Sequence, residues 1–425
     1  MTVFLAVTVF LICYALIAAE KFNRVAIVAA GSAAMILIGA TGADEAFYSH
    51  EFGIDWNVIF LLLGMMIIVG VVHKTGLFEY LAVLAIRLAK GFPRRAFVYL
   101  LLLVAFASAL LDNVTTILLA VPMTFMVAKY LKVNPVPFLL AEVFISNIGG
   151  AGTLIGDPPN IIIASKAGIE FNDFLVHMAP MVLLVMAVII PMMMLMFRKD
   201  LRNQAEDRQE VMKLDPKSFI SDRVLLIKSL SVLGLVMVGF LTHSMTHLEP
   251  SIIALMGAGL LVLISNLKPA QFAMDVEWAT LVFFAGLFVM VGALVNVGAL
   301  EAVADFIGNA VAGDAGLTAT IIVSISALIS GIVDNIPYVA SMTPVIAQLN
   351  EQLGAANDGL WWALGFGADF GGNMTIVGAS ANVVAVGLAA ANGIKISFWQ
   401  FAKYGVPVTV VSTAMTVPYL LLNYF

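Results

Sequence analysis

Two Asp-Asn pairs, Asp112-Asn113 and Asp334-Asn335, interrupt strongly apolar stretches of the sequence. Each pair separates two apolar runs of about 15 residues, which give about 23 Å of helix and are short for a full membrane crossing. Asp and Asn are favoured helix N-caps, but a carboxylate at membrane depth is costly and usually marks a path for ions or protons. We therefore predict two re-entrant helical hairpins whose tips bind substrate or ions, with Thr116 contributing beside the first tip.

Two glycine-rich segments, Gly149–Asn160 and Gly371–Asn382, interrupt two further apolar stretches. Glycine and proline at this density unwind a helix, and bare backbone at membrane depth is tolerated only inside protein or along a wet cavity. The segments therefore predict two broken helices whose backbone contacts a solute. The glycines expected to bare that backbone are Gly149, Gly150, Gly156, Gly371, Gly372 and Gly378. The polar side chains predicted to bind substrate there are Thr153, Asn160, Thr375 and Asn382.

A shift of 222 residues superposes these features without a gap. It places Asp112-Asn113 on Asp334-Asn335, and it places Gly149–Asn160 on Gly371–Asn382. Each half contains five predicted crossings, an odd number, so the two repeats are expected to have opposite orientations in the membrane. Broken helices paired in inverted repeats indicate a secondary transporter with its binding site near the bilayer midplane.

The two halves differ in their carboxylates. Asp157 corresponds to Ala379, and Asp369 corresponds to Asn147. Halves that share a fold but differ in carboxylates suggest that proton coupling was placed at individual positions. Asp369 is the strongest candidate for a proton carrier, and the full set of proton-coupling candidates is Asp369, Asp157, Asp112 and Asp334.

The composition supports a chain embedded in a bilayer. Of the 425 residues, 62% are hydrophobic and 11% are charged, which excludes a soluble enzyme and a disordered chain. A single cysteine, Cys13, excludes an internal disulfide and a thiolate metal cluster. Of the 21 basic residues, 20 fall on the predicted cytoplasmic side, which places both termini outside.

We therefore predict an all-α integral membrane protein with about ten transmembrane helices, two re-entrant hairpins and two broken helices. The expected division is a first inverted repeat at 1–197, a cytoplasmic linker at 198–223 and a second inverted repeat at 224–425.

The tip and break sequences resemble those of the ArsB/NhaD permease family within the ion transporter superfamily. They read "LLDNVTTILLAVP" with "SNIGGAGTLIGDPPNIIIA", and "VDNIPYVASMTP" with "ADFGGNMTIVGASANVVAVG". That family includes arsenite–antimonite efflux permeases, sodium/proton antiporters and P-protein-like members. The layout is also similar to that of divalent anion/sodium symporters, which implies an elevator-type fold with a static scaffold and a moving transport domain.

The first functional hypothesis is proton-coupled efflux of arsenite or antimonite. Neutral As(OH)₃ needs hydroxyl and amide partners, which Asn113, Thr153, Asn335 and Thr375 supply. The alternative is a sodium/proton antiporter, because Asp112, Asp334 and bared carbonyls make a hard-oxygen cation site. A dicarboxylate symporter comes third, and an intramembrane aspartyl protease is a remote fourth reading because the repeat duplicates Asp112 but not Asp157.

The sequence predicts no enzyme, no catalytic residues and no cofactor. It lacks a nucleotide-binding G-x-x-x-x-G-K-[ST] loop, so its expected power source is an ion gradient, of protons first and sodium second. His243 and His247 lie four residues apart without a third ligand, so no metal site is predicted. The expected partners are a small inorganic substrate and lipid in a prokaryotic-type cytoplasmic membrane, without nucleic acid. A homodimer and a separate ATPase subunit are both compatible with the sequence.

Overall fold

The computed structural model describes residues 2–19, 21–49, 52–202, 213–311, 313–353 and 358–425, and its regular elements in these ranges are all helical. The helices of the first half are Thr2–Ala18, Arg24–Leu37, Ala43–Tyr48, Trp56–Lys74, Leu77–Leu88, Pro93–Leu110, Asn113–Leu131, Val136–Gly150, Pro158–Ala167 and Phe171–Met196. The helices of the second half are Arg223–Leu241, His243–Thr246, Pro250–Ser265, Pro269–Ala273, Trp278–Asn296, Ala299–Ala310, Ala315–Ser330, Asn335–Leu353, Gly359–Gly371, Ser380–Ala391 and Phe398–Tyr424. Short 3-10 turns lie at Asp200–Arg202, Pro216–Phe219 and Ile376–Gly378.

Seven of the described helices are long and apolar enough to cross a membrane, and six further apolar helices are shorter. An all-helical integral membrane protein is therefore confirmed. The exact number of crossings, the opposite orientation of the repeats and the division at 198–223 remain predictions; residues 203–212 of that linker lie outside the described residues.

The hairpin arms are longer than predicted. We call Pro93–Leu110 with Asn113–Leu131 the first hairpin, and Ala315–Ser330 with Asn335–Leu353 the second. Both arms of the first hairpin pass the length and apolarity needed for a full crossing, so the expectation of arms of about 15 residues was wrong there. Charged residues at the ends, such as Arg94 and Lys129, stop the apolar run but not the helix.

The sequence analysis did not predict two short amphipathic helices, which lie at Leu77–Leu88 and Ala299–Ala310. Each follows a glycine in the left-handed region, Gly76 with φ 77° and Gly298 with φ 73°, which turns the chain sharply after a long helix. The two glycines are 222 residues apart, so this turn belongs to the repeated pattern.

Helices of the two repeats interlock. Trp56–Lys74 packs along Pro250–Ser265, and Trp278–Asn296 packs along Arg24–Leu37. These four helices form the outer helix group. The first pair can approach closely because Gly64 has no Cβ; a Cβ added there would lie 2.7 Å from the backbone of Ala254.

The centre of the molecule is built from the hairpins and the broken helices. We call Val136–Gly150 with Pro158–Ala167 the first broken helix, and Gly359–Gly371 with Ser380–Ala391 the second. The first arm of each hairpin packs on the broken helix of its own repeat, and the second arm contacts the broken helices of both repeats. The segments Pro137–Gly150 and Gly359–Gly371 are buried throughout. These contacts between the two halves bring both hairpin tips and both breaks together at the centre of the molecule.

Candidate functional site

The glycines at the two breaks allow the chain to approach itself and its neighbours closely. A Cβ at Gly150 would lie 2.6 Å from the carbonyl oxygen of Gly156, and a Cβ at Gly378 would lie 2.7 Å from that of Gly372. Gly149 and Gly371 face the first hairpin arms in the same way, each with a carbonyl oxygen 2.6 Å from an added Cβ. All six predicted glycines are thus placed at the breaks, where their contacts are with protein backbone or a neighbouring side chain.

Four predicted polar residues hold the breaks together. The Asn160 amide donates to the carbonyl oxygens of Gly150 and Thr153 at 3.2 and 3.1 Å, and Asn382 donates to those of Gly372 and Thr375 at 2.7 and 2.8 Å. The hydroxyl of Thr153 donates to Ala109 at 2.5 Å, and the hydroxyl of Thr375 donates to Gly331 at 2.7 Å. Each bond in the first half has its counterpart 222 residues later. These donors satisfy carbonyl groups that an unbroken helix would have paired.

The aspartates at the hairpin tips act as helix caps. Asp112 accepts hydrogen bonds from the backbone amide and the hydroxyl of Thr115, at 2.8 and 2.6 Å. Asp334 accepts from the amide of Ile336 at 3.1 Å and from the hydroxyl of Ser380 at 2.5 Å. The guanidinium of Arg24 lies 3.7 Å from Asp334, so this tip also has a cation beside it. Sequence reasoning missed Arg24, because it lies more than 300 residues away in the chain.

Asp157 is the centre where the two tips meet. The amide of Asn113 donates to it at 2.6 Å, and the amide of Asn335 lies 3.4 Å from both of its carboxyl oxygens. All three side chains are buried, at most 2% exposed. Among the described residues no basic side chain contacts Asp157, and its electrostatic neighbours are the carboxylates Asp369, Asp334 and Asp112. A carboxylate in this setting favours a proton or a cation as its partner.

A chain of amides extends from this centre to the second break. Asn147 accepts from Asn113 at 3.2 Å and donates at 3.0 Å to both Asn373 and Asn382. Sequence reasoning missed Asn373 and treated Asn147 only as the counterpart of Asp369. The sequence signal for both residues was their position next to a Gly-Gly pair: Asn147 lies two residues before Gly149, and Asn373 directly follows Gly372. The Nδ2 atom of Asn373 and the hydroxyl of Thr116 have no hydrogen-bond partner in the described part of the chain, so both can bind a solute.

Asp369 is fully buried at the end of Gly359–Gly371. Neither carboxyl oxygen has a hydrogen-bond partner among the described residues. The amide of Asn160 is its polar neighbour. A third buried carboxyl group, that of Glu142, lies outside the amide chain and accepts from the hydroxyl of Thr124 at 2.6 Å. We use "central cluster" below for Asn113, Asn147, Asp157, Asn335, Asn373 and Asn382.

Comparison with known proteins places this geometry in a transporter context. Residues 14–367 match the profile of CitMHS, described as a citrate transporter. The chain belongs to the CitMHS family. An uncharacterised transporter of Mycobacterium tuberculosis is 49% identical over 422 residues, which cover 99% of this chain and 98% of the relative. The human P protein is 35% identical, over 96% of this chain and 58% of its own length.

The fold also matches a solved structure. The crystal structure of the YdaH transporter of Alcanivorax borkumensis superposes with a TM-score of 0.56 and 14% identity, covering 99% of this chain and 97% of that one. The transporter fold predicted from the hairpin tips and the breaks is thereby confirmed. As a CitMHS family member, the chain is a membrane transport protein and not an enzyme.

The central cluster of this CitMHS protein offers five amide side chains and one carboxylate, that of Asp157. Within the described ranges, no group of three or more His, Cys, Asp or Glu residues is placed to hold a metal ion. The amides of the cluster can exchange hydrogen bonds with a hydroxylated solute, and the carboxylate of Asp157 can hold a proton or a small cation.

Proposed function

We propose that this protein is a secondary active transporter that exchanges protons for a small monovalent cation, with sodium as the first candidate, at the central cluster. The observation that carries the proposal is the setting of Asp157. Amides from both hairpin tips donate to this buried carboxylate, and no basic side chain of the described residues neutralises it. An uncompensated carboxylate in a low-dielectric site is most stable when a proton or a cation is bound beside it.

The second candidate is proton-coupled efflux of arsenite or antimonite. It is favoured by the amide chain, because Asn113, Asn147 and Asn373 present both donors and acceptors that suit the hydroxyl groups of a neutral As(OH)₃. The Nδ2 of Asn373 and the hydroxyl of Thr116, which have no hydrogen-bond partner among the described residues, add two further partners.

Citrate, the solute in the family's description, is a third candidate. A tricarboxylate at the central cluster would meet Asp157 and Asp369, and the guanidinium nearest the tips already neighbours Asp334. Like charges placed together in a buried site are unfavourable. Citrate therefore ranks below a cation and a neutral solute on the electrostatics of the cluster.

We propose an elevator-type movement for the transport step. The hairpins and broken helices would move together against the outer helix group. Arg24, at the start of an outer helix, donates to Ser380 at 2.7 Å and neighbours Asp334, so this contact crosses the proposed sliding surface. Beside it lies a cavity of about 390 Å³ that Asp334 and Ser380 line. A second cavity of about 730 Å³ lies between Trp56 of the outer helices and Thr343 of the second hairpin.

The test is an exchange assay in proteoliposomes that contain a trapped pH dye. An imposed proton gradient should collapse when sodium is added, and Asp157→Asn should remove that response. Glu142→Gln is the matched control, because Glu142 is a buried carboxyl group outside the central cluster. Proton movement driven by As(III) and not by sodium would support the second candidate instead. Citrate-driven proton movement would support the third.

A further inference from the structure

Asp369 and Asn160 are buried polar neighbours, and both carry acceptor atoms that have no hydrogen-bond partner among the described residues. Both hydrogens of the Asn160 amide are committed to the carbonyl oxygens of Gly150 and Thr153. Its Oδ1 atom therefore remains, and this atom has no hydrogen-bond partner among the described residues. Neither oxygen of the neighbouring Asp369 has a donor in the same ranges. Three buried acceptors without a donor are costly unless a hydrogen lies between them.

The other repeat shows how this contact is completed. Asn382 is the counterpart of Asn160, and its amide is likewise committed to two carbonyl oxygens of its own break. The Oδ1 atom of Asn382 accepts a hydrogen bond at 3.0 Å from the Nδ2 of Asn147. Asn147 is the counterpart of Asp369 at the 222-residue shift. The position that donates through an amide in one repeat is thus occupied by a carboxyl group in the other.

We propose that Asp369 holds a proton in this conformation and donates it in a hydrogen bond to Oδ1 of Asn160, so that Asn160 senses whether Asp369 is protonated. The inference rests on the proposed function, since it names the residue that carries the coupling proton. Asn160 is a positioning residue, because it acts through its bonds to the break and not on the cargo.

Loss of the proton to solvent would change the first break. The carboxylate of Asp369 would then face an amide oxygen, and both groups are acceptors. Rotation of the Asn160 amide relieves this contact by turning Nδ2 toward Asp369, which removes its bonds to Gly150 and Thr153. The loosened segment contains Asp157. Deprotonation in the second repeat would thereby loosen the cargo site built on the first.

The helix that carries Asp369 packs against both arms of the second hairpin, both segments of the first broken helix, Phe171–Met196 and Phe398–Tyr424. Among the described charged groups on and beside these elements, Asp157 is the one that interacts electrostatically with Asp369. Its negative charge opposes ionisation of Asp369, so binding of a cation at Asp157 would favour release of the Asp369 proton.

Hydrogen exchange measured by mass spectrometry on the reconstituted protein tests the inference. The readout is the exchange rate of peptides covering 149–160 relative to peptides covering 371–382. The second break is the internal control, because its Asn147–Asn382 pair does not titrate. The relative rate should rise about fivefold from acidic to alkaline buffer, as expected for the loss of hydrogen bonds worth about 1 kcal/mol.

Asp369→Asn keeps a donor at this position at every pH, as Asn147 does in the other repeat. It should abolish the pH dependence of the relative rate, and Asn160→Ala should give the faster rate at both pH values. An unchanged pH dependence in Asp369→Asn would overturn the proposal, as would equal changes in the two segments.

Infrared difference spectra between the two buffers provide a second readout. Asp369→Asn should remove a C=O band of a protonated carboxyl group, and Asn160→Ala should shift that band to higher frequency. A spectrum that Asp369→Asn leaves unchanged contradicts the inference. Neither readout requires cargo movement, so their failure is distinguishable from failure of the exchange assay.

Discussion

Gly149 marks a very close contact between the first hairpin and the first broken helix, and Gly149→Ala tests this packing. The added Cβ would lie 2.6 Å from the carbonyl oxygen of Ala105 and 2.8 Å from its Cα. These are backbone atoms in the middle of a helix, so no side chain can rotate away. The two helices must separate by about 0.8 Å to restore the 3.4 Å of an ordinary contact.

That separation also affects a hydrogen bond across the same contact. The hydroxyl of Ser108 donates to the carbonyl oxygen of Ser146 at 2.7 Å, and a shift of about 0.8 Å lengthens it beyond useful range. Overpacking costs about 1–3 kcal/mol and the lost bond about 1 kcal/mol. We expect Gly149→Ala to lower the free energy of unfolding by about 2–4 kcal/mol.

The assay is denaturant unfolding of the purified protein in detergent micelles. Gly387→Ala is the matched control, because Gly387 also lies in a broken-helix segment but an added Cβ has no neighbour within 4 Å. This control should raise the unfolding free energy by about 0.5–1 kcal/mol, the intrinsic helix preference of alanine over glycine. Gly371→Ala should behave like Gly149→Ala, because Ala327 opposes it at the same distance. If Gly149→Ala is as stable as Gly387→Ala, the close helix contact described here does not exist.

Three further predictions follow from single contacts. Asn113→Ala should lower the free energy of unfolding by about 1.5–3 kcal/mol, because it removes a hydrogen bond to the charged acceptor Asp157. Asn335→Ala should have a smaller effect because its contacts with Asp157 are 3.4 Å long, and equal losses in denaturant unfolding would contradict this. Arg24→Gln should increase thiol labelling of a cysteine placed at Val377, on a Cys13→Ala background, by no more than about fivefold, because a partly exposed ion pair contributes about 1 kcal/mol or less. A larger increase in labelling would show that Arg24 stabilises the second hairpin tip by more than one surface ion pair. Thr124→Val should lower the free energy of unfolding by about 1–3 kcal/mol, because it removes the hydroxyl that donates to the buried Glu142. Unchanged denaturant unfolding would show that another donor reaches Glu142.

Much of the architecture can be predicted from the sequence, because the sequence signals for the helix breaks and hairpin tips are local. Glycine density gave the positions of both breaks, and the structure ends the preceding helices at Gly150 and Gly371. The lengths of the hairpin arms were not readable, because an apolar run ends at the first charge whereas a helix continues through lysine and arginine. The helices after Gly76 and Gly298 were missed because they are too short and too amphipathic for a search based on apolar runs.

The central cluster was predictable only in part. The breaks and tips pointed to Asn113 and Asn335, and the structure brings both to Asp157. The role of Asn147 as a bridge to Asn373 and Asn382 depends on contacts more than 220 residues apart in the chain, which no spacing in the sequence reveals. Their functions in binding cargo remain predictions.

The division of labour between repeated and unrepeated residues has a physical reason. Residues that occur in both halves, such as Thr153 and Thr375, make the same backbone bonds in each and hold the breaks together. The carboxylates Asp157 and Asp369 occur once each, opposite Ala379 and Asn147. A fully symmetric chain would enclose four such carboxylates in one buried volume, where like charges strongly oppose one another's ionisation. One such carboxylate in each half keeps this added repulsion lower, so that in the proposed exchange a cation at one and a proton at the other can compete. The proposed exchange of the two ions requires this competition, which four carboxylates in one buried volume would weaken.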